Sequence, residues 1–368
     1  MAFSFTDEQE QFRDIVARFC RDKSPTTAVR AQMETDRGYD PAVWQQLCQE
    51  LGLAAIHIPE HKGGSGFGPI ELGIVMEELG RSLLCSPYFA SAVLTATAIA
   101  EAGTDAQCEQ LIPAIADGST IGALAVSDTD GGFNIDGLST IATSSNDAYT
   151  LSGTKRFVVD GHNADLLVIA AATESGPALF TVAADAGGLD RTPTAVMDPT
   201  RKLADITFTH TPAQRLGGGE VLDITPIYDT ALVALANEMA GGAQALFDSA
   251  VEYTKLRVQF GRTIGSFQAI KHRLADLLLE VEGAKSAAYQ AAQAMAADEA
   301  VTQTASLAKA CAAEAYLSAA IQCIQLHGGI GFTWENDTHL WFKRAKSSEV
   351  FLGTPAHHRE RMLQAMGV

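Results

Sequence analysis

The spacing of apolar residues changes twice along this chain, from helical to alternating and back to helical. From Thr6, the residues Phe12, Ile15, Val16, Phe19 and Cys20 recur every three or four positions, and Thr6 with Gln9 reads as a capping box, so a helix with one buried face starts here. A second helix is bracketed by Asp40-Pro41 and Gly52, with Val43, Leu47 and Leu51 on one side. Leu72, Val75, Met76 and Leu79 mark a third. Residues 1–118 therefore read as an N-terminal helical domain.

From Ile121 to about Gly218 the period shortens towards two, and Gly, Thr and Asp punctuate the chain at short intervals. Tyr149 to Gly153, Leu166 to Ala172, Ala178 to Ala183 and Ile206 to Phe208 read as strands, which makes 119–220 a compact β domain. From Thr225 helical spacing returns. It is clearest in Ile270, Leu274, Leu277, Leu278 and Val281, and alanine is abundant from Ala284 to Ala320. Residues 221–368 read as long, closely packed helices with no internal repeat.

Composition narrows the function classes. At 368 residues the chain exceeds one ordinary core. A net charge of −18, with 26 Lys and Arg against 44 acids, excludes a nucleic-acid partner, because a polyanion requires clustered cations. No stretch reaches the ~18 apolar residues of a membrane span, and the N-terminal residues show no signal pattern. The six scattered cysteines read as reduced thiols, Cys323 among them as a small buried residue. A cytoplasmic protein is expected.

Three stretches carry chemistry. Arg257 precedes Gln259-Phe260-Gly261, and Phe267-Gln268 follow. Between two helices, such an arginine can grip a pyrophosphate while Gln268 offers an amide to a nucleotide edge. Gln325-Leu326-His327-Gly328-Gly329-Ile330-Gly331 places three glycines at the end of an Ala-rich helix, where backbone can pass close to a ligand. Phe351-Leu352-Gly353-Thr354 lies near the C-terminus.

In this order, and with the helix–β–helix arrangement, the three stretches closely resemble the FAD-dependent acyl-CoA dehydrogenase family. The resemblance covers essentially the whole chain. It implies an α+β fold with an N-terminal helical domain, a middle β-barrel or sandwich domain and a C-terminal four-helix bundle. It assigns Arg257, Gln259, Phe260, Phe267, Gln268, Gln325, Leu326, His327, Gly328 and Gly329 to FAD held by a neighbouring subunit, with Thr354 on the flavin side. His327 stands where the family often has an apolar or aromatic residue, so a packing or hydrogen-bonding role is expected.

The flavin-ring half departs from the family. Its Thr-Glu-Pro-x-x-Gly-Ser-Asp run is here Ser127-Asp128-Thr129-Asp130-Gly131-Gly132-Phe133-Asn134, with Phe133 for the serine. Its Trp-Ile-Thr-Asn-Gly is Phe157-Val158-Val159-Asp160-Gly161, and Val159 has no hydroxyl. The family's glutamate base sits at one of two positions, here Leu352 and Ala231, and both seats are empty. Asp229, Glu238 and Glu349 are nearby carboxylates. Asp229 is turned about 200° from position 231 on a helix, so it is a weak candidate.

Residues serving a neighbour's cofactor are kept while those serving the chain's own flavin and base have changed. The expectation is a non-catalytic subunit completing the FAD site of a paralogous acyl-CoA dehydrogenase subunit in an α2β2 complex, similar to those acting on steroid side-chain CoA thioesters. The reaction is α,β-dehydrogenation, with electrons passing to an electron-transferring flavoprotein. The alternatives are a self-sufficient homo-oligomer using Asp229 and a flavin-free scaffold.

Overall fold

The computed structural model describes residues 4–129, 132–145 and 148–368. Helices come first: α1 (Asp7–Lys23), α2 (Thr26–Met33), α3 (Pro41–Gln45), α4 (Pro69–Ser82), α5 (Ala96–Ala102) and α6 (Asp105–Ala116). The capping box at the start of α1 forms as the sequence suggests, with Gln9 N donating to Thr6 Oγ1 at 3.2 Å and Thr6 N to Gln9 Oε1 at 3.0 Å. Asp40 caps α3 through Ala42 N, and the chain continues as a wider helical turn to Glu50. All four residues that mark α4 are buried.

The β strands follow: β1 (Gly122–Ala125), β2 (Ile141–Ser145), β3 (Ala148–Val159), β4 (Leu166–Thr173), β5 (Gly176–Ala183), β6 (Leu189–Thr194) and β7 (Leu203–Leu216). Pairing runs β4–β5–β7–β3–β2 and returns to β4 through Ile141 and Ala172, which closes a barrel. β1 lies parallel to β4 and β6 antiparallel to β7. Leu151, Leu167, Ile169, Phe180, Ile206 and Phe208 fill the core. β4 is buried on both faces, which accounts for its uninterrupted apolar run.

Helices resume with α7 (Thr225–Leu256), a short hairpin of β8 (Val258–Gln259) and β9 (Arg262–Thr263), then α8 (Gln268–Ala297), α9 (Val301–His327), α10 (Thr338–Val350) and α11 (Pro355–Ala365). Of the stripe on α8, Leu277 and Val281 are buried, Ile270 and Leu274 half-buried, and Leu278 exposed. Leu278 lies off the buried face because that face follows the i, i+4 line through 277 and 281. The chain divides into two compact units. One holds the chain up to Arg30, Pro69–Leu84 and Leu232–Val368; the other holds Ala31–Gly68 and Cys85–Ala231. Within the first, Gly241 of α7 runs so close to α4 that a Cβ there would lie 1.9 Å from Glu77 O, so no larger residue fits.

Candidate functional site

Arg257 follows the last residue of α7, and its backbone is fixed at both ends: its N–H donates to Tyr253 O at 2.9 Å and its carbonyl accepts from Ile264 N at 2.8 Å. The segment between is a two-residue hairpin, Val258 opposite Thr263 and Gln259 opposite Arg262, a device the helical spacing on either side does not announce. Its turn residues Phe260 and Gly261 both have positive φ, +52° and +77°, as a type I′ turn demands. The turn lifts the Phe260 ring out, 90% exposed. Phe267 supports it edge-on at 6.2 Å and carries the Arg262 guanidinium over its face at 4.0 Å. The Arg257, Gln259 and Gln268 side chains are exposed, Gln268 as the first residue of α8. Among the described residues Arg257 has no carboxylate partner, so its guanidinium remains free to bind an external anion.

At the end of α9, Gly328 caps the helix with φ 67° and ψ −143°, a region only glycine occupies at low cost. Gln325, Gly328 and Gly329 are exposed, while Leu326 and His327 are buried. A Cβ on Gly328 or Gly329 would meet nothing within 4 Å, so packing inside the chain does not require glycine at 329. His327 stacks on Tyr253 with centroids 4.1 Å apart, and Nδ1 donates to Cys323 O at 2.8 Å. The packing and hydrogen-bonding role expected of it is what the geometry provides. Burial pushes the Cys323 thiol up to about 12, so it packs as an inert group.

Leu352 is 2% exposed and sits at φ +59°, strained for a branched residue. Two buried side chains hold its turn. His358 Nε2 donates to Leu352 O at 2.9 Å, and Lys309 Nζ donates to Glu349 O and Gly353 O. Burial, then the Lys309 charge, lowers His358 to about 3, so it is neutral. Sequence reasoning missed both; the signal was a lysine inside an alanine-rich buried stripe. Thr354 caps α11 by accepting from His357 N at 3.3 Å, and it is exposed. Glu238 is buried and pairs with the buried Arg344; Glu349 pairs with Lys346 at 2.5 Å. Asp229 is 2% exposed on α7, and Ala231 is 1% exposed.

In the β-barrel unit, Asp130 and Gly131 lie outside the described residues. Asp128 anchors the preceding part of that stretch. Its carboxylate takes Lys155 Nζ at 2.7 Å, Thr140 Oγ1 at 2.6 Å and Ser139 N at 2.5 Å. Burial opposes its ionisation, but the hydrogen bonds from Lys155 and Thr140 and the Lys155 charge outweigh that and hold it at about 2. Phe133 stacks on Tyr228 at 5.2 Å and 16°. Val159 is buried at the end of β3, paired with Leu203, and offers only methyl groups.

The two halves fit FAD unequally. The exposed Arg257, Gln268 and open glycine turn suit the adenosine diphosphate half of the cofactor, whereas Phe133 on Tyr228 and the methyls of Val159 do not supply a flavin ring's polar contacts.

Residues 6–119 match the acyl-CoA dehydrogenase N-terminal domain and residues 231–367 the C-terminal domain. The chain is 38% identical over 359 residues to acyl-CoA dehydrogenase IpdE2 of Mycobacterium tuberculosis, covering 97% of this chain and 96% of that one. Its fold matches a Tcur3481-Tcur3483 steroid acyl-CoA dehydrogenase variant with a TM-score of 0.87, at 30% identity and 98% coverage of both chains. It also matches the ChsE4-ChsE5 complex from Mycobacterium tuberculosis with a TM-score of 0.90, at 27% identity over 100% of this chain and 99% of that one. The hairpin arginine, the glycine turn and the Leu352 turn all lie within one matched domain, and the chain belongs to the FAD-dependent acyl-CoA dehydrogenase family.

Proposed function

We propose that this chain is the non-catalytic subunit of a heteromeric acyl-CoA dehydrogenase, completing the FAD site of a paralogous catalytic subunit in an α2β2 complex that desaturates a CoA thioester. The observation that carries this reading is the contrast between the two halves of the cofactor site. Arg257 and Gly328-Gly329 are open to a ligand that nothing among the described residues replaces, while Phe133 is stacked on Tyr228 where a serine would meet the flavin. Leu352 and Ala231 leave both base seats without a carboxylate. Glu238 and Glu349 are engaged with Arg344 and Lys346. The base then comes from the partner subunit, and FAD, when bound, would supply the hydride acceptor for the β-hydrogen.

In this arrangement Arg257 grips a diphosphate, Gln268 offers its amide to the nucleotide edge, and the glycine turn lets the backbone approach closely. The reading takes a steroid-derived acyl group as substrate class, an electron-transferring flavoprotein as acceptor and the cytoplasm as location. Its support for the substrate class and for pairing is that two structurally similar assemblies are described as a steroid acyl-CoA dehydrogenase and as a two-protein complex.

Co-expression with the paralogous subunit, followed by native mass and a flavin count, tests it. Two FAD per four chains, falling on Arg257→Ala, is the expected result. Four would favour a self-sufficient site, for which the buried Asp229 is the candidate carboxylate. None would favour a scaffold.

A further inference from the structure

α8 buries one narrow line of residues, Leu277, Val281, Ala284 and Ala288. On the opposite side His272, Ala275, Leu279, Glu282 and Ser286 are all exposed, and they recur at alternating steps of three and four, the spacing of a stripe that meets another helix. Leu279, at its centre, is 74% exposed. The proposed cofactor role uses none of these side chains.

Gly283 lies in the helix interior, one turn beyond Leu279. A Cβ there would meet nothing within 4 Å, unlike one at Gly241 or Gly242 of α7, which are hemmed in by backbone and by Tyr316. Glycine in a helix interior costs about 0.5–1 kcal/mol relative to alanine, and nothing among the described residues requires it at 283. An apolar side chain held out of the chain beside a bare stretch of backbone is shaped for the close approach of a second polypeptide.

The charges identify that polypeptide. Lys271 and Glu282 are both exposed and stand 11 positions apart, about three helical turns, so they lie on one flank of the stripe with Leu279 between them. Among the described residues Lys271 forms no ion pair, and Glu282 meets only Lys285 Nζ, at 3.3 Å. One end of the stripe is therefore cationic and the other anionic, which makes the face complementary to itself when reversed. In an antiparallel pair, the register that seats Leu279 of each copy on Ala275 of the other also brings Lys271 over Gly283 and within reach of Glu282, twice by symmetry. The missing side chain at 283 leaves room for the lysine stem. A parallel pair would instead set Lys271 against Lys271.

We infer that a second copy of this chain docks here, α8 against α8, in an isologous contact about a two-fold axis. In the proposed α2β2 complex this contact joins the two non-catalytic subunits, but it follows from this chain alone and needs neither paralogue nor flavin.

Sedimentation equilibrium on the full chain without a partner is the test. A reversible dimer of twice 38.9 kDa is expected. Leu279→Glu should weaken it about tenfold or more with the far-ultraviolet circular dichroism unchanged, since an exposed anchor is lost and no core residue is touched. Lys271→Glu and Glu282→Lys should each weaken the dimer, and the two together should restore it, because the swap returns opposite charges to both ends of an antiparallel pair. A chain monomeric at every concentration, a dimer indifferent to Leu279→Glu, or a charge swap that fails to restore association would each overturn the inference. So would a Leu279→Glu change that leaves the lone chain's mass unaltered and splits the complex with the paralogous subunit, which would then own the face. A flavin count other than two per four chains would sink the cofactor reading and leave this contact standing.

Discussion

Lys309 Nζ donates to Gly353 O at 3.0 Å from a position with no solvent exposure. The same ammonium donates to Glu349 O at 3.2 Å, so one side chain of α9 holds both ends of the turn that carries Leu352. Burial lowers its proton affinity from the ordinary 10.5 to about 8, with Glu349 offsetting part of that effect. Because the folded value lies below the unfolded one, the unfolded chain binds the proton more tightly between about 8 and 10.5. Below about 8 the folded protein carries the full cost of a buried ammonium, on the order of 3 kcal/mol, and this is relieved as the pH rises through the window. The neutral amine still donates to both carbonyls. Urea denaturation of the wild type and of Lys309→Met across that range should show the difference between them shifting in favour of the wild type with rising pH. A constant difference would refute the assignment.

Glu238 and Arg344 are both buried and bonded to each other, which separates a structural carboxylate from a catalytic one. Removing one partner strands the other charge. Glu238→Gln or Arg344→Met should each cost about 3–5 kcal/mol in urea denaturation, and the double substitution should cost less than the two added together. The flavin content of the assembled complex, measured below the unfolding transition, should stay at the wild-type value.

Much of the fold was legible because long apolar stripes report burial directly. α1, α4 and α8, and strands β3, β4, β5 and β7, appear where the spacing places them. β1 and β2 were illegible because they are only four and five residues long, too short for a period to show. β6 was hidden by Asp190, Arg191 and Pro193, which its pairing to β7 tolerates because only one side of the strand is used in the sheet. At the site, motif residues were legible because each has an unusual type or spacing. Their supports were not: Tyr253 under His327, Tyr228 against Phe133 and Lys309 beneath the Leu352 turn act across 74, 95 and 44 positions of sequence. No local pattern carries such a separation.

The Phe260 turn separates folding from binding. A phenylalanine at φ +52° bears a cost of about 1–2 kcal/mol that asparagine or glycine largely avoids. Phe260→Asn should raise the thermal midpoint of the isolated chain, or at least leave it unchanged after the contact with Phe267 is lost. The same substitution should lower FAD retention by the complex with the paralogous subunit, because the exposed ring is then available to a ligand or neighbour rather than to this chain's core. A variant both less stable and fully flavin-loaded would refute this division of roles.

Gly329 and Gly331 give the sharpest contrast, since they lie two positions apart in one turn. A Cβ at 331 would approach Ile324 O to 2.8 Å and His327 Cβ to 3.0 Å, so valine there must push the turn off the end of α9. A Cβ at 329 meets nothing within 4 Å, and Gly329 has no positive φ to preserve. Gly331→Val should therefore destabilise the isolated chain by about 1–3 kcal/mol in urea, as overpacking does. Gly329→Val should leave its denaturation midpoint within about 0.5 kcal/mol of wild type, as for a surface change, yet strip FAD from the complex. That pairing, intact folding with lost cofactor, is what a backbone kept bare for a neighbour's nucleotide requires. If Gly329→Val complexes retain two FAD per four chains, the glycine serves no ligand and the trans-site reading loses its main support in this turn.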